Sequence, residues 1–546
     1  MKEFSPNTRQ INLQKLQSEE FDLIVIGGGI NGAGVARDAA SRGMKVALIE
    51  ARDFASGTSS KSSKLIHGGI RYLENKEFKL VFEALSERTK LFELAPHLVH
   101  PLRFMIPLYK NSRVGMGLMG VGMWLYDILA MFQSPEMHER LNSQETLEAM
   151  PALNPHEVVG SYIYSDAYMD DDRLVHETMR SANDYGAVCV NYVKAVGLKT
   201  TGEKNYITGI QVEDVLTKNN FIIEGRHVVS TVGPWTDELG EMIFESWKKI
   251  LRPTKGVHIT LPRGRLPLQS AVVMGAEKSD RIVFGIPRHE MIIVGTTDTD
   301  FKGNLNDVEA TPEDIRYLLN IADQYFPGAE LKADDIIASY AGVRPLVKDD
   351  STTEGKTSRE HTILSDDRGI TFLAGGKYTT YRLMCQQTVE KVLKRFPIED
   401  RVRFNNSLSE RPLNPDASAD ALHQARVQVE ILAQEFGRNL ESVRQLVERH
   451  GLEAAAIMRK YPKSFTYWQL EAAHAIDATM CMSLVDFYAR RVPLFLAHID
   501  HGVSLLPEVG AVFQEKLQWS DEVLAMQSNL LLEYMAHEIE WKKSLG

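Results

Sequence analysis

Three glycines, a carboxylate and a serine-rich loop near the start of this chain have the types and spacing to hold a dinucleotide. Gly27, Gly29 and Gly32 form a G-x-G-x-x-G pattern directly after the apolar run Leu23 to Ile26. The first glycine permits a tight turn, the second lets backbone approach a pyrophosphate, and the third lets helix and strand pack closely. Amides at the positive end of the following helix would hold the anion. A second apolar run, Val46 to Ile49, ends at Glu50, whose carboxylate can accept hydrogen bonds from a ribose hydroxyl pair and would repel a 2′-phosphate. The pattern therefore predicts an adenine-dinucleotide site, with NADP disfavoured. Asn31, inside the turn, and Ser59, Ser62, Ser63 and Lys64, in the loop after the second strand, are further candidate contacts. A merely solvated Ser-rich loop is the competing reading, and the loop's place after the second strand favours the cofactor.

These residues need a β-α-β unit, and the elements around it follow from local signals. The opening unit runs from Phe21 to Glu50, with its helix ending near Gly43. A helical region is expected from Lys76 to Ala95, and alternating helix and strand signals from Asp171 to Val232. Strand-like segments from Val257 to Thr297, separated by Gly and Pro turns, predict an antiparallel sheet distinct from the parallel one. Pro312 to Phe326 reads as a helix capped by Thr311, with Pro at its first position. Asp170, Asp171 and Asp172 read as a cluster at a helix N-terminus complementing its dipole. From Ala419 onward the pattern is helical.

The expected organisation is a leader (1–20), a discontinuous nucleotide-binding domain (21–100, 151–250 and 336–395), a substrate or cap domain (101–150 and 251–335), a linker (396–418) and a helical C-terminal domain (419–546). The fold class is α/β plus α, a Rossmann-like domain with an inserted antiparallel-sheet domain and an all-helical C-terminal domain.

Bulk properties narrow the function. A 44% hydrophobic composition supplies sizeable cores, and a net charge of -11 argues against broad nucleic-acid affinity. Any anionic substrate would need a local basic pocket. Cys189, Cys385 and Cys481 are odd in number and scattered, which reads as buried thiols in a reducing compartment. No H-E-x-x-H or clustered Cys/His appears, so no metal is expected. The N-terminus lacks a secretory h-region. The apolar stretch Gly115 to Phe132 contains four glycines and Asp127, which argues against a membrane span. It reads either as a buried helix of a capping subdomain or as a patch resting on lipid, helped by Arg103, Lys110 and Arg113 upstream.

The segment TSSKSSKLIHGGIRYLE, Thr58 to Glu74, together with GGGINGAG, resembles flavin-dependent glycerol-3-phosphate dehydrogenases of the D-amino-acid-oxidase-like fold. Further stretches are similar: SDAYMDDDRLV, TVGPW, KGVHI, GTTDTDFKG, GVRPL, AGGKYTTYR and, near the C-terminus, DATMCMSLVDFYARR. The resemblance covers nearly everything from Phe21 onward. It implies FAD as cofactor, with His67, Gly233, Gly376 and Thr379 among its contacts. Gly375 and Gly376 would let the chain pass close to the flavin ring.

Glycerol 3-phosphate presents a phosphate dianion, which suits Arg or Lys. The resemblance implies Arg71, Arg344, Arg359 and Lys377. Arg71 and Arg344 also stand in apolar, glycine-flanked contexts where an unpaired cation would be costly. Arg382 could replace Arg359 or simply anchor its helix. Removing the hydroxyl proton as hydride leaves C2 needs a base, for which His258 is preferred, with Arg344 as its catalytic companion and His67 as runner-up. The implied activity is oxidation of sn-glycerol 3-phosphate to dihydroxyacetone phosphate with electrons passed to a membrane quinone, on a cytoplasmic protein peripherally attached to the lipid surface. A homodimer is the assembly considered, and an oxidase releasing peroxide is the main alternative.

Overall fold

The computed structural model describes residues 1–74, 76–275, 281–348 and 360–545. Its centre is a six-stranded sheet in the order His361–Asp366, Ile370–Gly375, Val228–Ser230, Leu23–Ile26, Val46–Ile49, Val188–Val190. All neighbours are parallel except the first pair. The strands Leu23–Ile26 and Val46–Ile49 are buried throughout, which explains their unbroken apolar runs. The Ile30–Ser41 helix crosses between them and packs on the Asp171–Asp184 and Tyr381–Leu393 helices.

The second sheet has ten strands, eight along one path and two, Ser339–Val347 and Glu139–Asn142, paired off its line. The sequence located its centre: Leu251–Pro262, Ala271–Gly275, Ile282–Arg288 and Met291–Gly295 run antiparallel in it. The sheet is mixed, since Ala271–Gly275 pairs in parallel with Val99–Tyr109. Two further strands join it from segments expected in the nucleotide domain. Val158–Met169 pairs with Val99–Tyr109, and Ser339–Val347 pairs with Leu251–Pro262 along nine residues. Register between distant strands is set by tertiary packing, which local periodicity does not encode. A four-stranded sheet, Glu20–Phe21, Asn220–Gly225, Tyr206–Asp214 and Val193–Thr201, completes the nucleotide side.

The N-terminal segment is packed into the fold. Its Pro6–Ser18 helix buries Leu13 and Leu16, and the Arg9 guanidinium reaches Asp214 at 2.6 Å. Residues 396–418 are likewise anchored, with Arg37 donating to the carbonyls of Ser409 and Arg411. The Pro312–Tyr325 helix starts at a Thr311 capping box with Pro at its first turn, as its sequence dictates. Helices from Ala419 to Glu538 enclose an apolar core that Ile337 and Ala338 join, while Trp541 and Leu545 pack into the core of the second sheet.

The buried-helix reading of Gly115 to Phe132 does not hold. The Met116–Leu129 helix buries only Met123, Tyr126 and Asp127, whereas Leu118, Val121, Trp124 and Ile128, spaced three and four apart, are 54–68% exposed. Met131 and Phe132 extend the face. A helix apolar all round does not reveal in sequence which stripe meets the core. The basic residues upstream are matched by carboxylates: Arg103 by Glu136 and Glu139, Lys110 by Glu157, Arg113 by Glu74. Among the described residues, no helix is long and apolar enough to cross a membrane.

Candidate functional site

The glycine turn is built around three close approaches. A Cβ on Gly32 would collide with the Gly27 carbonyl oxygen, so helix and turn meet only with glycine there. Gly27 has φ +107° and faces the Thr231 carbonyl, where a Cβ would stand 2.8 Å away. At Gly29 an added Cβ would sit 2.9 Å from Ser59 Oγ. Ser59 Oγ in turn accepts a hydrogen bond from the Ile30 amide at 3.0 Å. Glu50 accepts from the amides of Gly28 (2.7 Å) and Arg52 (2.9 Å). Burial raises its pKa while those two amides oppose the rise. A carboxylate has about four acceptor positions, so capacity remains for a diol.

From this turn a cavity of about 710 Å³ runs past Thr58 to Ser63, beside Gly233, to the Gly375 to Thr379 turn and the second sheet. Gly27, Gly29, Asn31, Glu50, Ser59, Ser62, Ser63, His67, Gly233, Gly376 and Thr379 all line it. Gly32 lies behind, as its packing role requires. Gly375 and Gly376 have φ of +75° and +89°, and His67 is tied to their turn through Thr379 Oγ1, which accepts from its amide at 3.2 Å. The cradle fits FAD: exposed amides and glycines occupy one end, and an apolar and cationic chamber occupies the other.

The loop Thr58 to Lys64 is tied to several elements at once. Thr58 Oγ1 donates to the Val343 carbonyl (2.6 Å), Ser62 Oγ to Asp171 Oδ2 (2.7 Å), and Lys64 Nζ to Asp171 Oδ1 (2.5 Å). Asp171 stands in the first turn of the Asp171–Asp184 helix. The acidic cluster therefore sits where sequence placed it, with the added task of holding this loop.

The second wall carries His258, the expected base. His258, on Leu251–Pro262, is buried and stacks on Tyr340 with centroids 4.7 Å apart and planes 10° apart. The two residues face each other in register. His258 Nε2 meets Ser63 Oγ at 2.8 Å, and its buried Nδ1 has no hydrogen-bond partner among the described residues. Burial, then the positive Arg344 and Lys64, push the imidazole well below its usual pKa, so it is neutral at physiological pH.

Arg344 lines the cavity and donates to Thr296 Oγ1 (2.9 Å) and Asp298 Oδ1 (3.1 Å). Arg71 and Lys377 also line it, with Lys377 Nζ 3.6 Å from the Tyr72 ring centroid. Four of the expected substrate residues, Arg71, His258, Arg344 and Lys377, thus line the same cavity. Arg359 lies outside the described residues. Arg382 is not on the cavity: its buried guanidinium grips Glu87 at 2.5 and 2.8 Å, so it anchors its helix.

Sequence reasoning missed Tyr340, Asp298, Lys61 and Arg281. Tyr340 stands two residues before Gly342 of the GVRPL motif, a signal that was available; Arg281 carried none. It also missed a cluster away from the cavity, where folding brings ligand atoms of His450, Glu453 and His474 within 4.8 Å of one another. Arg180 and Asn414 already occupy the Glu453 carboxylate.

Comparison with known proteins agrees with this geometry. The family described as FAD dependent oxidoreductase matches residues 22–382, and the C-terminal domain of alpha-glycerophosphate oxidase matches 372–524. The aerobic glycerol-3-phosphate dehydrogenase of Bacillus subtilis (strain 168) is 34% identical over 537 residues, covering 95% of each chain. That of Staphylococcus saprophyticus is 34% identical over 508 residues, covering 90% of each. The glycerol-3-phosphate dehydrogenase from Bacillus halodurans complexed with FAD superposes with TM-score 0.78 at 28% identity, covering 98% of this chain and 99% of that one. The L-alpha-glycerophosphate oxidase from Mycoplasma pneumoniae shares the fold, with TM-score 0.53 at 19% identity, over 68% of this chain and 95% of that one. The chain belongs to the FAD dependent oxidoreductases, within their family of glycerol-3-phosphate dehydrogenases, and FAD is its cofactor.

Proposed function

We propose that this protein oxidises sn-glycerol 3-phosphate to dihydroxyacetone phosphate and delivers the electrons to a membrane quinone. The observation that carries this reading is that His258, Arg344, Arg71 and Lys377 line the same cavity as the dinucleotide turn. FAD supplies the hydride acceptor. Arg71, Arg344 and Lys377 bind the phosphate dianion, with Arg344 aimed by Thr296 and Asp298. His258, held flat against Tyr340, takes the hydroxyl proton. A neutral imidazole is the form able to accept it, which agrees with the direction of its shift. The Gly233 and Gly375–Gly376 turns supply close backbone walls.

The exposed apolar face of Met116–Leu129 supports lipid contact, and hence quinone as acceptor, on a peripherally attached cytoplasmic protein. Its upstream cations are already matched, so area rather than charge would drive this contact. The oxidase reading has one observation in its favour, the matching C-terminal oxidase domain at 372–524. Anaerobic titration of the yellow protein with glycerol 3-phosphate tests the substrate: bleaching is expected, and an unchanged flavin spectrum refutes it. Reoxidation by a quinone analogue much faster than by oxygen supports the acceptor; the reverse order establishes the oxidase.

A further inference from the structure

The two loops that flank the diphosphate end of the cavity are gripped from behind by the C-terminal helices. Lys61, in the Thr58 to Lys64 loop, lines the cavity with part of its side chain, while its Nζ forms an ion pair with Glu538. Glu538 ends the Asp521–Glu538 helix and is only 5% exposed. The same residue accepts a hydrogen bond on its carbonyl from Ser339 Oγ, and Trp541 Nε1 donates to that hydroxyl at 2.8 Å. The helix end is therefore fixed on the strand that carries Tyr340 and Arg344.

The second grip holds the turn after Glu50. Asp53 is 1% exposed and accepts from Arg490 Nε at 2.7 Å and from Arg491 Nη1 and Nη2 at 2.8 and 3.0 Å. Two residues on, the Ala55 amide donates to the Gly28 carbonyl at 3.1 Å. Neither Arg490 nor Arg491 lines the cofactor cavity. Their charges are spent on Asp53, with Arg490 also bonded to Asp486.

We propose that the C-terminal helical domain is the cofactor-retention element of this protein, and that Lys61 and Asp53 are positioning residues through which it holds both loops around FAD. Neither loop carries a long helix or strand of its own, and Ser59 and Glu50 face the cofactor only while the loops keep this shape. If releasing a grip lowers the fraction of molecules in that shape, FAD affinity falls by the same factor. Breaking one partner of a buried ion pair leaves the other uncompensated, which drives the release. The inference rests on the cofactor and not on the substrate, so it survives if glycerol 3-phosphate fails to bleach the flavin.

The test measures FAD dissociation, by the fluorescence of released flavin, for the full chain and its Glu538→Gln and Arg490→Gln variants. Each variant should raise the dissociation constant by about tenfold or more, and the exchanged pair Lys61→Glu with Glu538→Lys should recover most of the loss. Hydrogen exchange on the unmodified apoprotein covers variants that do not fold: amides 53–64 should already be protected before FAD is added. Unchanged dissociation constants in both variants would overturn the proposal. So would a loss that the exchanged pair leaves uncorrected, or unprotected loop amides in the apoprotein.

Discussion

Ser63 Oγ and His258 Nε2 stand 2.8 Å apart, joining the cofactor loop to a strand of the second sheet. The contact fixes one edge of the imidazole while Tyr340 covers its face. His258→Asn keeps a similar volume and removes the base. It should slow flavin reduction by glycerol 3-phosphate by about 10²- to 10⁴-fold while FAD content stays near normal. Stopped-flow absorbance under anaerobic conditions measures both, and near-normal reduction would remove His258 from the reaction.

Replacing Arg344 with Lys keeps the charge but loses the planar fork aimed by Thr296 and Asp298. The Michaelis constant for glycerol 3-phosphate should rise by about tenfold or more, with FAD binding unaffected. Steady-state kinetics on FAD-saturated enzyme decide it; an unchanged constant places the phosphate elsewhere.

Gly32→Ala should give a colourless protein. The added methyl meets a backbone carbonyl, which cannot swing away as a flexible side chain would. By contrast Gly43→Ala has open space around it, and its φ of +88° predicts a cost of only about 1–2 kcal/mol. Flavin absorbance after purification separates the two.

Acid should destabilise this protein well above the pH at which its carboxylates protonate. Burial lowers the pKa of His97, His176 and His258 well below the usual value, and that of His227 to about 4. The unfolded chain binds protons at these imidazoles near pH 6.5 while the native chain does not, so stability falls as pH drops through that value and continues falling to the folded pKa. For each such group the slope reaches about 1.4 kcal/mol per pH unit. Thermal midpoints between pH 7.5 and 5 check this, and a flat profile would show that the imidazoles titrate alike in both states. For the same reason, the activity profile should show no acid limb near pH 6.5 from His258.

On the outer face, Leu118→Asp with Trp124→Glu should abolish sedimentation with phosphatidylglycerol–phosphatidylethanolamine vesicles and leave the thermal midpoint within about 2 °C, because both side chains are more than half exposed. Equal sedimentation of the variant would mean that another surface meets lipid.

The β-α-β unit was legible because each requirement is local: a turn, a close approach and a helix start fall within thirty residues of one another. The Thr311 cap and the Asp170 to Asp172 cluster were legible for the same reason. What escaped was set by distance. His258 and Tyr340 face each other across a strand pair 82 residues apart in sequence, and nothing near either one marks the other. Val158–Met169 is buried along most of its length, so no polar face marks which sheet it joins. The Gly115 to Phe132 stretch offered too much apolarity to tell its covered stripe from its open one.

Lys61 finds its counter-charge 477 residues further along the chain, and Asp53 waits 437 residues for Arg490. During synthesis both loops leave the ribosome long before those partners exist. If the two grips act as proposed, a message truncated ahead of codon 490 yields a polypeptide that should hold the vitamin-derived coenzyme less tightly than the finished chain does.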